Sequence, residues 1–469
     1  MIVTALLLAA AAPPPPVPVE QRLAAFAGQV DEQRMNATVE KLVSFGTRHT
    51  LSSMSDPKRG IGAALNYAEA EFKAVGLPVV RPCATFTGER IPKPTLVCNV
   101  VAVQRGTERP NDVVIITGHI DSRVSDPMNA KSDAPGANDD GSGTAAVLEA
   151  ARILGRLKFP GTIVYAALSG EEQGLYGGKI IADLSKTLGW NVVANLNNDI
   201  IGNSCGSDKV CDDKTVRVFS EGFRWQGGDL IRADVRKFGG ENDSPSRNLS
   251  RFLDRLAEQL PQIGLDVRQV WRNDRFGRGG DHTEFLNAGY PAVRLTVAVE
   301  DYEHQHQDLR KEKGIKYGDT VDEMDFPYLK RVTALNVGAL AAIALAPPPP
   351  AAIAEGAVST DTTVNWSPVP GAAAYFVWWR RTDAPNWQFS RRAMGDPSTP
   401  IASPADPVGP GSPTRLVGHG MVLKGIRVDD WVFGVSSISA DGFESPVASA
   451  VPGGAFKPYV KPEEPKEDK

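Results

Sequence analysis

Apolar runs rich in β-branched residues alternate with segments of helical periodicity through the middle of the chain. The apolar runs occupy residues 113–117, 162–168, 192–196 and 292–299, and the helical segments occupy 142–157, 175–188 and 247–260. Near-continuous apolar strands are typical of sheets that helices cover on both faces, so the alternation predicts an α/β domain. Residues 21–77 are expected to be largely helical, with an amphipathic helix at 61–75, and a last helix is expected at 328–345.

The chain is long enough for two domains, since its 469 residues exceed the ~100–200 typical of one domain. Four consecutive prolines at 347–350 cannot sustain a helix, so they predict a semi-rigid linker between a domain at 21–346 and another at 351–455. Short strand-like runs separated by Pro, Gly and Asp predict a small all-β sandwich in the second domain. Residues 1–20 are interpreted as a signal-like leader, and the charged residues 456–469 as a disordered tail.

Three segments of the second domain carry a family likeness. They are TVNW at 363–366, YFVWWR at 375–380 and SADGFESP at 439–446. With these segments the domain resembles a fibronectin type III module. Trp366, Trp378 and Trp431 lie at alternating strand positions, which favours core packing over a sugar-stacking platform.

Charge and cysteine usage restrict the partners and the compartment. The net charge of −5 and the pI near 5.8 argue against a nucleic-acid partner. An apolar start at 1–12 indicates an export signal, and no later continuous apolar stretch predicts a membrane span. The cysteines form two local pairs, Cys83 with Cys98 and Cys205 with Cys211, which favours disulfides over free thiols and a secreted or periplasmic protein.

Residues with catalytic potential cluster at the ends of the predicted strands. The candidates are His119, Asp121, Asp139, Glu171, Glu172 and Asp199, with His304 and His306 far downstream. Ligands gather at the carboxyl ends of strands in α/β domains, so four carboxylates are expected at one rim. They would repel one another unless cations neutralise them, and two divalent ions (+4) balance four carboxylates (−4). With histidines beside them, the set suits zinc.

The order of these residues and the motifs around them carry a second likeness. The motifs are GHIDS, GANDDGSG, SGEEQGLYG and NND, within residues 95–345. As a set they resemble the co-catalytic zinc aminopeptidase family, which also contains glutamate carboxypeptidases and glutaminyl cyclases. The resemblance implies a mixed, mostly parallel sheet with helices on both faces, two zinc ions per chain and a peptide substrate.

The resemblance also implies a role for each residue. The implied zinc ligands are His119 and Asp199 for one ion, Glu172 and a late histidine for the other, and Asp139 between the two. Glu171 is implied as the catalytic general base, with Gly170 letting the chain turn so that both glutamates reach one site. Asp121 is assigned to the catalytic set as the acceptor that fixes the tautomer of His119.

The late histidine is assigned to His306 in preference to His304. Members of the family usually show a histidine followed closely by Asp-Thr. Here Asp319 and Thr320 come thirteen residues after His306, which implies an insertion. His282 is interpreted as a pocket wall or supporting residue.

The function expected from these features is that of a secreted zinc exopeptidase. Aminopeptidase action is preferred, with a metal-bridging hydroxide attacking the peptide bond and Glu171 as base. Carboxypeptidase action and glutaminyl-cyclase-like acyl transfer stay open as alternatives, as do a serine hydrolase at Ser204 in a GxSxG pattern and a non-catalytic binding protein. Arg272, Arg275 and Arg278 are interpreted as a solvated basic loop, with carboxylate recognition left open.

Overall fold

The structure is a computed structural model that describes residues 17–222, 235–394 and 419–450. The helices are α1 (Val19–Ala27), α2 (Glu32–Val43), α3 (Ile61–Val75), α4 (Gly141–Leu154), α5 (Glu171–Gly174), α6 (Tyr176–Thr187), α7 (Pro245–Gln259), α8 (His282–Ala288) and α9 (Phe326–Leu345). Most of the leader expected at 1–20, and the whole tail expected at 456–469, lie outside the described residues.

Eight strands form the central sheet. They are β1 (Val79–Val80), β4 (Val100–Gln104), β5 (Arg109–His119), β6 (Gly161–Leu168), β7 (Asn191–Asn198), β8 (Thr215–Ser220), β9 (Asp266–Val270) and β10 (Ala292–Val297). Their order is β1-β4-β6-β5-β7-β10-β8-β9. The pairs β6/β5, β5/β7, β7/β10 and β8/β9 are parallel, whereas β1/β4, β4/β6 and β10/β8 are antiparallel. The predicted mixed, mostly parallel sheet is confirmed.

Apolar side chains on both faces of the strands explain the helical layers. Val114 and Ile116 of β5 pack with α1–α4 and α9 in one core, whereas Val113 and Ile115 pack with α6 and α8 in another. Successive strand residues point to opposite faces, so a continuous apolar strand needs cover on both sides. The helices predicted on both faces are confirmed.

Helix α9 is long and apolar enough by composition to span a bilayer, and it is the one such helix among the described residues. It lies inside the first core, where 83% of its most apolar window is buried. Its apolar composition is therefore that of a core helix packed on the sheet.

Two hairpins extend from the central domain. Strands β2 (Cys83–Gly88) and β3 (Ile91–Cys98) pair in one, and a disulfide joins Cys83 to Cys98. Strands β11 (Arg310–Glu312) and β12 (Ile315–Tyr317) form the other. A second disulfide, between Cys205 and Cys211, closes a short loop. The disulfide pairing therefore matches the two local pairs expected from the sequence.

Within residues 352–449, the described segments form two antiparallel sheets that face each other. One contains β13 (Ala352–Glu355), β14 (Thr362–Trp366) and β17 (His419–Leu423). The other contains β15 (Ala374–Arg381), β16 (Phe389–Met394), β18 (Trp431–Ile438) and β19 (Ala448–Ser449). Trp366, Tyr375 and Phe433 lie in the shared core. The predicted small all-β sandwich is confirmed.

Only one of the three tryptophans expected in the sandwich core is fully buried there. Trp366 is 1% exposed. Trp378 is partly buried beneath the guanidinium of Arg255 from α7, 4.8 Å from its ring centroid. Trp431 is also only partly buried, with Arg381 5.1 Å from its ring. Trp378 therefore lies at the contact between the sandwich and the peptidase part. The alternating pattern of strand residues does not predict this contact.

The sandwich packs against α7 through polar contacts. Arg380 donates to Asp243 at 2.5 Å, and Arg251 donates to the carbonyl of Pro385 at 2.6 Å. Both arginine side chains are at most 2% exposed. Pro347 and Pro350 of the proline run are buried as well. The two parts are therefore held in a fixed arrangement.

Candidate active site

The carboxyl ends of three neighbouring parallel strands meet at one edge of the sheet. His119 ends β5 opposite Leu168, the last residue of β6. Thr117 pairs with Asn197 of β7, and Asp199 follows directly after that strand. The three strand ends therefore deliver an imidazole, a glutamate pair and an aspartate to one place, as the parallel register requires.

Asp139 reaches the same edge from the loop before α4. Asp140 caps the helix, since its carboxylate accepts hydrogen bonds from the backbone N–H of Gly143 at 2.8 Å and of His119 at 2.9 Å. Asp319 accepts from the backbone N–H of Asn138 at 2.8 Å and of Asp139 at 2.7 Å. The Asp139 loop is thus held from both sides.

A glycine in the left-handed region turns the chain after β6. Gly170 has φ +80°, and the chain then enters the single turn α5. Glu171 and Glu172 consequently lie on a helical turn instead of an extended strand. This turn is what allows both glutamates to face the same site.

Asp121 supports that turn. Its buried carboxylate accepts hydrogen bonds from the backbone N–H of Glu171 at 3.4 Å and of Glu172 at 3.2 Å, and from Thr50 Oγ1 at 2.9 Å. The expected contact with His119 is longer, since Asp121 Oδ1 lies 3.6 Å from Nδ1. That nitrogen lies 3.1 Å from the backbone carbonyl of Asp121 instead. The residue therefore contacts the ring mainly through its main chain.

Two groups of three potential metal ligands lie side by side. The first is His119, Glu171 and Asp199, and the second is Asp139, Glu172 and His306. Within each group the ligand atoms lie within 4.8 Å of one another. All five residues predicted as zinc ligands are therefore brought together, and Glu171 lies with them.

Asp139 lies between the two groups. Its Oδ1 is 3.1 Å from Nε2 of His119, and its Oδ2 is 2.8 Å from Nε2 of His306. His306 Nε2 is also 3.0 Å from Glu172 Oε1. One carboxylate thus offers one oxygen to each group, which is the geometry of a bridging ligand.

Arginines contact ligands of both groups. Arg294, which is 0% exposed, lies 2.8 Å from Asp199 Oδ1 and 3.1 Å from Asp274 Oδ2. Arg123 lies 2.9 Å from Glu172 Oε2, and its Nη2 is 2.6 Å from Nδ1 of His306. These contacts fix the orientation of the acidic side chains.

Burial and neighbouring charges in this cluster shift the pKa values of its histidines and of Glu171. Burial lowers the pKa of His119, but Glu171 and the three nearby aspartates raise it further, to well above its usual range. Burial likewise opposes the charge on His306, yet Glu172 and Asp139 raise its pKa to about 9. Burial, Glu172 and Asp199 raise the pKa of Glu171 well above its usual range. The metal-free cluster thus holds protons where cations would otherwise sit.

The residues present fit a pair of divalent metal ions. Glu172 Oε1 is buried and makes no hydrogen bond, although Nε2 of His306 lies close by. Buried carboxylate oxygens normally have a partner, and an ion held by both residues would supply one. The donor set of imidazole nitrogens and carboxylate oxygens is the one zinc takes at catalytic sites.

Three other residues considered from the sequence lie outside the two groups. His304 Nδ1 is 2.6 Å from Asp301 Oδ2, and His304 belongs to neither group, unlike His306. His282 is fully buried, with Nε2 2.9 Å from the carbonyl of Asn273. Ser204 donates to Asp325 at 2.6 Å, and Asp325 caps α9. An acidic partner cannot supply the imidazole base that a serine nucleophile uses.

Several supporting residues were not identified from the sequence. Asp319 and Arg294 act on Asp139 and Asp199 from distant parts of the chain. Ser207, inside the Cys205–Cys211 loop, accepts from the backbone N–H of Tyr302 at 2.6 Å and donates to Asp301 at 2.9 Å. Ser207 thereby anchors the segment that leads to the second ligand group. Neither spacing nor residue type marks such long-range contacts in a single sequence.

The fold and the two ligand groups are those of a metal-dependent hydrolase. Residues 99–320 match the model of peptidase family M28. The chain is 39% identical over 447 residues to a probable zinc metalloprotease of Leptosphaeria maculans, over 92% of this chain and 98% of that protein. It is 40% identical over 448 residues to a probable zinc metalloprotease of Pyricularia oryzae, over 92% and 84% respectively. The chain therefore belongs to peptidase family M28 and is a metallopeptidase.

The solved structures that resemble the chain are more distant. LapB from Legionella pneumophila is 20% identical, with a TM-score of 0.49, over 70% of this chain and 76% of that one.

Proposed function

We propose that this metallopeptidase is an exported aminopeptidase that binds two zinc ions and releases N-terminal residues from peptides. The observation that carries the proposal is the position of Asp139, whose two oxygens face one ligand group each. The relatives named as probable zinc metalloproteases support zinc as the metal. In the proposed site His119 and Asp199 would hold one ion, Glu172 and His306 would hold the other, and Asp139 would offer one oxygen to each.

The bound zinc would polarise the scissile carbonyl and lower the pKa of the attacking water. Glu171 then serves as the general base, taking a proton from that water and passing it to the leaving amine. Asp121 keeps Glu171 in place through the backbone N–H of that residue.

The acidic side chains at the site favour a substrate with a free amino terminus. Four carboxylates line the cleft beside the ligand histidines, from Asp139, Glu171, Glu172 and Asp199. A protonated α-amino group can donate hydrogen bonds to carboxylate oxygens at short range even when bound ions balance the net charge, whereas a blocked amino terminus cannot form this ion pair. This electrostatic preference supports aminopeptidase over endopeptidase action.

Carboxypeptidase action is the second candidate, and the arginines of the cleft favour it. Arg275 and Arg278 line the same cleft as the two ligand groups. A guanidinium group is the usual partner of a peptide carboxylate. The two candidates differ in which end of the peptide must be free.

The deciding experiment combines metal analysis with reporter peptides. Zinc per chain is measured by mass spectrometry on the full chain, together with cleavage of a peptide that has a free amino terminus and of its N-acetylated counterpart. Two zinc ions per chain and cleavage of the free peptide alone support the proposal. Cleavage of the acetylated peptide at its carboxyl end identifies a carboxypeptidase, and loss of ammonia from an N-terminal glutamine peptide identifies a cyclase.

Export is supported by the two disulfides, since cytosolic thiols are kept reduced. Mass spectrometry of the protein from the culture medium and from cells of the source organism tests this part of the proposal. A protein found only in the cytosol with free thiols would contradict it.

A further inference from the structure

A cleft of about 1110 Å³ lies over the two ligand groups, and four arginines line it. They are Arg90, Arg123, Arg275 and Arg278. All acidic residues of the lining belong to the candidate metal centre. Because two divalent ions would balance those four carboxylates, the arginines set the charge of the loaded cleft.

Arg275 and Arg278 share their acidic partner with a third arginine. Glu300 lies 2.7 Å from Arg217, 3.5 Å from Arg275 and 3.3 Å from Arg278. One carboxylate therefore serves three guanidinium groups. Charge compensation at this wall of the cleft is incomplete.

The neighbouring ion pairs do not remove this excess of positive charge. Asp274 lies 3.0 Å from Nε of Arg275 but also 3.1 Å from Arg294. Arg294 is shared in turn with Asp199. The arginine–carboxylate pairs connected to Glu300 thus contain four arginines (Arg217, Arg275, Arg278 and Arg294) against three carboxylates (Glu300, Asp274 and Asp199), a difference of 4 − 3 = +1.

One donor of Arg275 is only weakly partnered. The side chain is 8% exposed, and its buried Nη1 lies 3.5 Å from Glu300 Oε2 without making a hydrogen bond. A buried N–H group that lacks an acceptor is costly, and most such groups in folded proteins are paired. An acceptor supplied by a bound molecule would satisfy it. Of the three arginines interpreted as a solvated loop, Arg272 and Arg278 are exposed, whereas Arg275 is packed against Asp274.

We propose that Arg275 and Arg278 form a subsite for a carboxylate of the substrate, so that the enzyme prefers peptides with a carboxylate close to the scissile bond. This inference rests on the proposed exopeptidase function. Planar guanidinium groups match the geometry of a carboxylate, which can accept two N–H bonds. In a peptide the carboxylate comes from a free carboxyl terminus, as in a dipeptide, or from an acidic side chain.

The two sources are separated by two pairs of substrates on the zinc-loaded full chain. One pair is Leu-Gly and its C-terminal amide, and the other is Leu-Asp amide and Leu-Asn amide. A carboxylate bound by these arginines is expected to raise kcat/KM by about 10- to 100-fold within a pair. A preference in the first pair assigns the carboxyl terminus, and one in the second assigns the side chain. Ratios near one in both pairs overturn the subsite.

Substitutions connect the preference to the two residues. Arg278→Gln and Arg275→Gln are each expected to reduce the ratio to within about 2-fold of one, and Arg278→Lys to retain part of it. Arg268→Gln is the matched control, because Arg268 is 53% exposed, pairs with Asp212 and does not line the cleft. If Arg275→Gln does not fold, Arg278→Gln decides alone. A ratio unchanged in Arg278→Gln contradicts the proposal.

A binding measurement separates this inference from the proposed function. Calorimetry of the zinc-loaded Glu171→Gln protein compares the affinity for Leu-Gly and for its amide without turnover. Tighter binding of the acid by about 10-fold supports the subsite even if the wild type cleaves none of the four peptides, a result that refutes the exopeptidase proposal alone. Equal affinities in a wild type that does cleave them refute the subsite alone.

Discussion

The carboxylate of Asp319 accepts a hydrogen bond of 2.7 Å from the backbone N–H of Asp139, the residue that lies between the two ligand groups. The β11–β12 hairpin separates Asp319 from His306, and the chain returns after the hairpin to hold the Asp139 loop. The insertion expected after His306 is therefore a surface hairpin whose end is tied to the site.

Loss of the Asp319 carboxylate should weaken metal binding. Asp319→Asn leaves one amide oxygen for two backbone donors, so the Asp139 loop loses part of its support. Outer contacts of this kind typically contribute about 10- to 100-fold to metal affinity. Zinc affinity is measured by competition with a chelator. The control is Asp322→Asn, since Asp322 is 65% exposed in the next turn. Equal affinity in both variants would show that the loop needs no such support.

Substitutions of Glu171 and Asp139 should distinguish loss of catalysis from loss of metal binding. Glu171→Gln removes the proton acceptor, so turnover should fall by about 10²- to 10⁴-fold while two zinc ions per chain are retained. The measurements are kcat and zinc content of the same preparation. Normal turnover in Glu171→Gln would exclude it as the base. Loss of one zinc ion would instead identify Glu171 as a ligand, in line with its place beside His119 and Asp199.

Asp139→Asn should lose zinc and turnover together. The neutral amide offers one oxygen where the carboxylate offers one to each group. We expect fewer than two zinc ions per chain in this variant, together with activity near background. A variant that keeps both ions would show that Asp139 does not bridge them.

Zinc affinity should rise with pH. In the metal-free protein the pKa of His306 is raised to about 9, so zinc must displace a proton below that pH. The His306 proton alone should make the apparent affinity increase about tenfold per pH unit up to about pH 9, and the proton held by the raised pKa of His119 should make the dependence steeper. The proton on His306 stabilises the metal-free fold below about pH 6.5, and this contribution is lost as the pH rises through about 9.

As the pH rises, zinc affinity increases whereas the stability of the metal-free fold decreases. The Tm values of the two forms should therefore diverge. The difference in Tm between loaded and metal-free protein, in a zinc-buffered series, should widen from pH 6.5 to 9. A constant difference would mean that His306 is already neutral and that its carboxylate neighbours do not hold a proton on it.

Ser207 should act on the second ligand group through the backbone. Ser207→Ala removes the acceptor of the Tyr302 N–H, whereas the N–H of Glu303 keeps its second acceptor, Asp301 Oδ1. Since a neutral hydrogen bond contributes about 0.5–1.5 kcal/mol, we expect zinc affinity to fall by about 2- to 10-fold. Ser359→Ala is the matched control, because Ser359 also accepts from a backbone N–H but lies in the sandwich. Equal changes in both variants would contradict a role for Ser207.

The hydrophobic periodicity of the sequence was sufficient to predict much of the fold. The helix expected at 61–75 begins and ends at those residues, and the strands expected at 162–168 and 192–196 lie within β6 and β7. These segments are buried on a helix face or on both strand faces, so their apolar pattern is strong. Strand β9, with sequence DVRQV, was not predicted, because an edge strand with polar side chains has no such pattern.

The candidate site was predictable where its residues follow strand ends. His119, Glu171, Glu172 and Asp199 are adjacent in space because parallel strands end at one edge, which the alternation already implies. The Asp-Thr pair identified Asp319 but not its contact with the Asp139 loop, and Arg294 was not predictable, since a lone arginine has no periodicity. The roles of all these residues remain predictions until the variants are measured.

The contact between the sandwich and α7 has a consequence for how the enzyme is made. Asp243 and Arg251 of the peptidase part are buried at the seam with Arg380 of the sandwich, and Arg251 also donates to the carbonyl of Pro385. A chain shortened at the proline run would leave Asp243 without Arg380 and uncover the Arg251 guanidinium. A minimal peptidase fragment is therefore expected to aggregate on expression, and both parts have to be synthesised together to give a usable catalyst.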